Sequence, residues 1–523
     1  MLGLRANDCR SGDVLAEEQA QAARKEDVLN ALSQIATKFR TRIGESLASV
    51  QGHNTPLPDA TTPSLEALEA YSAALKVELA TSSLAAVPLL KRAIAIDPQF
   101  AMAHAMLGLD YSSLGESVLS LESTAKAYEL RNRASDRERF FITVNYDRQV
   151  TGNLQKAHET LELWAETYPR DRDAHGLLSG FVSQGTARYE QAVQEALKAI
   201  AIDPDFTYGY VNVGFSSFYS DRPGQAEAAL QRASQRKLEI PESVLLRYYL
   251  ACLKGDTAGM DREAAEAKGK PAADDWMAHS QALVLARSGR LQLAREMSRR
   301  AVDLAQAEGQ RERAAMYEAA AAVWEAFFGN ASAAEQGAKA ALELSQGHDV
   351  QYSAAFAFAL AGDFSRSQAL ADDLDKNFPE DTSVRFNYLP TLHALYAVNH
   401  GEPAKAIDEL QIAVPYELAV CSLDFNFFFG QFYPVYVRGE AYLAEHKGAE
   451  AAAEFQKILD HHGLLFGDPI TAMARWQLGR AYAMSGDKNN AKSAYADFFS
   501  LWKDADPGVP ILKQVKAEYT KLQ

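Results

Sequence analysis

The sequence predicts an all-α fold, a solenoid of helix-turn-helix pairs stacked in tandem, with a small α/β segment at its start. Three observations predict it. The hexapeptide AIAIDP occurs at Ala93–Pro98 and again at Ala199–Pro204, inside longer matching stretches, LLKRAIAIDPQFAMAHAMLGL and ALKAIAIDPDFTYGYVNVGF. In both, small and apolar residues recur three and four apart up to an Asp-Pro pair, where the proline and its effect on the preceding residue end the helix. The copies start 106 residues apart, close to three units of about 35, which is the length of one helix pair.

Residues 1–57 stand outside that period. LGLRAN reads as a strand, Ser11-Gly12-Asp13 as a turn and the apolar stretch after it as a second strand. A helix follows from about Lys25 to Leu47, with Val28, Leu32, Ile35, Ala36, Phe39 and Ile43 along one face. GHNTPLPDATTPS, rich in proline and threonine, then reads as a linker. Two strands and one helix cannot close a core by themselves. The segment is expected to be the last piece of an α/β domain, with Met1 an internal start, or else a strand-helix cap on the first pair.

Residues 58–507 are expected to hold about twelve pairs, beginning near residues 67, 101, 138, 173, 207, 241, 275, 312, 348, 387, 432 and 472. A small pair recurs in the first helix, at Leu107-Gly108, Ser179-Gly180, Val213-Gly214, Arg438-Gly439 and Leu478-Gly479. Alanine recurs in the second, at Ala86, Ala157, Ala192, Ala226, Ala294, Ala406, Ala451 and Ala491. Small residues belong where two helix backbones approach closely, since a larger side chain would overpack the contact. Such an array is expected to contact only its neighbours, whereas a helical bundle would join distant helices. AVPYELAVCSLDFNFFFGQFYPVYV stretches one spacing to about 45 residues and reads as extra core under an irregular connection. Within residues 508–523, Ile511, Leu512, Val515 and Tyr519 fall at helical spacing, as in a C-terminal capping helix.

These positions resemble the tetratricopeptide repeat. ARWQLGRAYAMSGDKNNAKSAYADF carries Leu478, Gly479, Tyr482, Ala491 and Tyr495 on the family's pattern, and YVRGEAYLAEHKGAEAAAEFQKIL carries Gly439, Tyr442, Ala451 and Phe455. The resemblance implies a right-handed superhelix whose first helices line a groove. Its candidate lining residues are Tyr208, Val211, Phe215 and Phe218 in the fifth pair, Tyr433, Tyr436 and Glu440 in the eleventh, and Trp476 and Arg480 in the twelfth. Aromatic stripes of this kind suit an extended peptide or a helix. Some family members hold a terminal carboxylate with lysine and asparagine; here Val211 and Phe215 stand at those places, so that ligand is not expected.

A second resemblance spans nearly the whole chain. NDCRSGDVLAEEQ, KEDVLNALSQIATKFRTRIGESLASVQ, PVYVRGEAYLAEHKGAEAAAEFQKILDHHG and LWKDADPGVPILKQVKAEYTKLQ are similar to the C-terminal region of large bacterial serine/threonine protein kinases, in which a kinase domain and membrane segment precede an α/β domain and a repeat array. None of the kinase motifs, VAIK, HRD or DFG, is in this sequence. The resemblance implies a signalling scaffold or sensor region. It places the array outside the membrane if the chain belongs to such a protein, and in the cytoplasm for the chain as written. The sensor part of a transcriptional regulator and a hydrolase on a repeat scaffold are the other readings.

Composition narrows the partner. The 69 acidic against 53 basic residues give a net charge of −16, which opposes binding to nucleic acid or anionic lipid. Cys9, Cys252 and Cys421 are too few and too scattered for a disulfide framework. The start lacks the basic and apolar stretches of a secretory signal, and Ala314–Phe328, interrupted by Glu318 and Glu325, is too short to span a membrane. No phosphate loop, dinucleotide fingerprint, zinc pair or nucleophile elbow occurs, so no enzyme activity, metal or cofactor is expected. His461-His462 reads as a helix end with Gly463 as its C-cap, and Asp274-Asp275 and Asp372-Asp373 as solvated helix faces or caps. The expected partner is a protein or peptide.

Overall fold

A computed structural model describes residues 1–8, 11–24, 27–43, 61–80, 82–420 and 430–522. The chain divides into two compact units, Met1–Ser113 with Leu119–Val150, and Leu114–Val118 with Thr151–Gln523.

In the first unit, strands Leu2–Asn7 and Val14–Ala20 pair antiparallel, Leu2 opposite Ala20, with an irregularity where Asn7 meets Val14. The hairpin turns at Gly12, whose φ of 77° suits glycine and whose N–H donates to the Asp8 carbonyl at 2.8 Å. Helix Val28–Arg42 packs on the hairpin and buries Leu29, Ala31 and Ile35, while Ala16 is covered on the second strand. A two-stranded sheet shields only a narrow stripe. Of the expected apolar face only Ile35 is therefore fully buried, and Ile43 is exposed. The expected helix ends at Lys25 and Leu47, and most of the linker, lie outside the described residues.

The helices that follow begin as Leu65–Ala80 with Ser83–Ile96, then Ala101–Ser113 and Ser117–Glu129. Asp136–Gln149 is started by a reciprocal capping box between Ser135 and Glu138. The doubled hexapeptide proves to be a joint. Asp97 (φ −129°, ψ 94°) and Asp203 (φ −133°, ψ 97°) leave the helix by the same backbone path. Each carboxylate then accepts the N–H two residues on, from Gln99 at 3.0 Å and Asp205 at 3.1 Å. The proline carbonyl is met by the side chain six residues later: His104 at 3.1 Å from Pro98, Tyr210 at 3.0 Å from Pro204, and likewise His175 at 3.1 Å from Pro169. Stop, turn and next helix thus form one bonded piece.

In the second unit the pairs run from Arg172–Leu178 and its continuation Phe181–Gln184, broken at Ser179-Gly180, to Ile470–Met484 with Lys488–Leu501. All eight of the recurring second-helix alanines are buried, as are Ala93 and Ala199. A Cβ on Gly439 would lie 2.7 Å from the Phe455 ring, and one on Gly479 2.8 Å from the Tyr495 ring, so only glycine lets each first helix reach its partner's aromatic residue. The protein is an all-α solenoid of tetratricopeptide-type pairs with a small α/β segment at its start.

Contacts are not confined to neighbours, contrary to expectation. The Thr382 N–H donates to the Gly152 carbonyl at 3.0 Å, Val420 to Gln184 at 3.1 Å and Asp506 to Gly289 at 3.0 Å. Arg287 reaches the Thr471 hydroxyl at 3.0 Å. The small rotation between successive pairs accumulates until later pairs meet the ends of earlier ones. That return decides which of the predicted groove residues see solvent.

Candidate binding surface

Each predicted groove residue sits on a first helix, and most are covered. Phe215 and Phe218, on Thr207–Tyr219, are fully buried among Tyr219, Tyr249 and Phe466. Tyr433 stacks on Phe356 with ring centroids 4.5 Å apart and meets Phe327 edge-on at 5.5 Å. Tyr436 meets the same Phe327 at 5.6 Å and its own pair's Phe455 at 5.7 Å. All four are buried, and the expectation of an open aromatic stripe is corrected for them. Residues of other pairs cover Phe218, Tyr433 and Tyr436.

Trp476 is also buried, but it belongs to a polar group. Its indole N–H donates to Glu518, on the last helix Pro510–Thr520, at 2.7 Å, and the Tyr495 hydroxyl reaches the same carboxylate at 3.1 Å. Arg480 lies over the Trp476 ring at 5.3 Å and donates to Gln477 at 2.9 Å, whose amide bonds Glu440 at 2.9 Å and the Tyr436 hydroxyl at 3.2 Å. The structure thus brings Tyr436, Glu440, Trp476 and Arg480 into one bonded group, while Phe215 and Phe218 pack elsewhere in the same continuous core. Arg480 is exposed and Tyr208 half-buried, so these two keep a face to solvent.

A buried polar cluster went unseen in the sequence. Asp275, in helix Asp274–Arg287, and Arg313, in Arg311–Phe327, form an ion pair at 2.9 Å, each about 1% exposed. Arg313 also donates to Tyr317 at 3.0 Å and Gln310 at 2.9 Å, and the Tyr317 O–H donates in turn to Asp275 at 3.0 Å. Burial opposes the guanidinium charge, yet Asp275 and Tyr317 hold its pKa above the usual value. His279 stacks on Tyr317 at 4.5 Å; burial and the nearby Arg313 push its pKa down to about 3, which keeps it neutral. Asp275 is therefore no solvated cap, although Asp274 next to it is partly exposed and pairs with Arg300. Second positions of the seventh and eighth first helices carry Asp275 and Glu312, both buried, and aligning the pairs would have exposed the acidic position.

The helix-end reading of His461-His462 needs one change. Helix Gly448–Asp460 is capped by His461, whose Nδ1 lies 2.8 Å from the Lys457 carbonyl. Gly463 is no left-handed cap, since it is absent from the residues with positive φ. It is glycine for room: a Cβ there would stand 1.9 Å from the Phe218 carbonyl oxygen. Among the described residues no three His, Cys, Asp or Glu side chains converge as metal ligands, and no helix is long and apolar enough to cross a membrane.

No family model and no curated protein matches the chain. Solved structures that match include the APC/C hetero-tetramer Cut9–Hcn1 (13% identity, 96% of this chain and 97% of that one, TM-score 0.41). Yeast Tom70 matches at 13% identity over 87% of this chain and 95% of that one (TM-score 0.36). The TPR domain of P58(IPK) matches at 14% over 74% and 98% (TM-score 0.22). Identities of this order say nothing of what this chain binds, and the fold rests on its own helix pairs.

Proposed function

We propose that this chain is a non-catalytic protein-interaction scaffold, which works beside a serine/threonine kinase as its sensor or docking region. The observation that carries the scaffold reading is the glycine-to-aromatic contact repeated inside helix pairs, Gly439 on Phe455 and Gly479 on Tyr495. A stack built that way spends its sequence on rigid packing and offers an extended surface for a partner. The kinase association is supported by the sequence resemblance at the chain's start and end. The partner on this reading is a protein segment, engaged by the faces that remain open, with Tyr208 and Arg480 as contact residues.

Photo-crosslinking residues at Tyr208 and Arg480, compared with one at Asp372, which is exposed on a second helix, test the proposal. Capture of a serine/threonine kinase, or of a kinase-bound protein, at the first two positions and not the third is expected. Equal capture at all three positions, or none at any, overturns it.

A further inference from the structure

The connection between Asp460 and Ile470 is longer than the joints that follow Ile96 and Ile202, where the next helix begins at Ala101 and Thr207. Its sequence, HHGLLFGDP, forms no regular element, yet Leu464, Leu465 and Phe466 are as buried as the helical core. Phe466 is buried against distant first helices. The Phe466 ring lies 4.2 Å from that of Tyr249, 6.2 Å from Tyr248 and 6.3 Å from Phe218. The Gly463 N–H donates to the Asp221 carboxylate at 2.8 Å, and Asp221 itself holds a left-handed φ of 54° that few side chains accept. Gly467, at φ 70°, closes the segment beside Leu283 and Val284. The surface so covered belongs to the fifth, sixth and seventh first helices.

The arrangement has the parts of a bound peptide. One aromatic anchor lies among aromatic rings, two aliphatic residues before it are buried with it, and a backbone N–H fixes the direction. Glycines stand where the backbone comes too close for a Cβ or turns left-handed. No helix has to melt for this segment to leave.

We propose that Gly463–Gly467 is an internal ligand of the fifth to seventh pairs, and that a partner segment of the same chemistry, two aliphatic residues followed by an aromatic one, binds by displacing it. This rests on the scaffold reading and names its site and its regulation. Tethered by short flanks, the resident segment competes at an effective concentration of order millimolar, so a free peptide binds weakly until the segment is released. Partners are thereby restricted to those that bind tightly or act first on the tether.

The test uses the full chain and a fluorescent synthetic peptide of residues 461–469, with a second peptide carrying alanine in place of its phenylalanine. Gly463→Ala puts a methyl group against the Phe218 carbonyl and should dislodge the segment; Phe466→Ala leaves the backbone and empties the pocket. Both variants should bind the peptide at least about tenfold more tightly than the parent chain does, in line with removal of an intramolecular competitor. The alanine peptide should not bind, and bound peptide should restore hydrogen-exchange protection at Phe218–Asp221. Folded variants that bind no better than the parent, or that take both peptides alike, overturn the proposal. So does failure of both variants to fold, which would make the segment core. Kinase capture at Tyr208 and Arg480 without peptide displacement would sink this inference and leave the scaffold reading standing.

Discussion

Phe218 and Tyr433 occupy first helices of the fifth and eleventh pairs, and both are hidden from solvent, but different things hide them. Over Phe218 lies an irregular loop with Phe466 at its centre, whereas Tyr433 is enclosed by Phe327 and Phe356 from two other helices. Burial alone does not distinguish a site from a core. The covering element does, since a loop can leave at the cost of its own few contacts and a helix cannot leave without its pair.

The largest expected effect is on the helix-covered side. Tyr433→Ala removes a ring enclosed on two sides by rigid aromatics and should cost about 3–5 kcal/mol, seen as a lower denaturation midpoint for the whole second unit. A loss below about 1 kcal/mol would mean the eleventh pair is as loosely covered as the fifth. Phe466→Ala should cost less, about 2–3 kcal/mol, because the ring it removes is held by a loop and not by a helix pair. Its signature is local: faster amide exchange at Phe218–Asp221 with little change at Tyr433–Ala444. Uniform loss of protection would erase the distinction between the two regions.

A pH series sharpens the comparison, because His279 lies one turn before Leu283 under the loop's edge. Its folded pKa of about 3 is below the unfolded 6.5, so between those values the unfolded chain binds more protons and stability falls as pH falls. From pH 7 to 5 this histidine alone should remove about 2 kcal/mol. His279→Phe, which keeps the stacking on Tyr317, should flatten the profile by that amount; parallel profiles would show that the ring is reached by solvent. The smallest effect is expected at the joint. Tyr210→Phe deletes the bond to the Pro204 carbonyl and should cost about 0.5–1.5 kcal/mol, read by chemical denaturation.

What was legible in the sequence is what repeats. Ala199 and its equivalents must be small in every pair, and Asp203-Pro204 must stop every helix it ends, so the period shows through differences elsewhere. The burial of Phe218, Tyr433 and Tyr436 was not legible, since each depends on a side chain brought back from a remote pair, and periodicity in one helix carries no record of that return. Asp275 was misread for a related reason. Its partner Arg313 is one period away, so a local pattern of two adjacent acids looked like a solvated surface. Gly463 looked like a cap because a glycine after a helix usually is one; the Phe218 carbonyl that demands it could not be foreseen.

The return of later pairs onto earlier ones also has a consequence for how the chain is made. Phe218, Tyr248 and Tyr249 leave the ribosome well before Phe466, and at about 5–20 residues per second the wait is on the order of tens of seconds. Throughout that interval the nascent chain offers an uncovered aromatic surface to whatever is near it. A chaperone that recognises aliphatic-aromatic segments would meet the growing chain there, and the loop that arrives last would dismiss it.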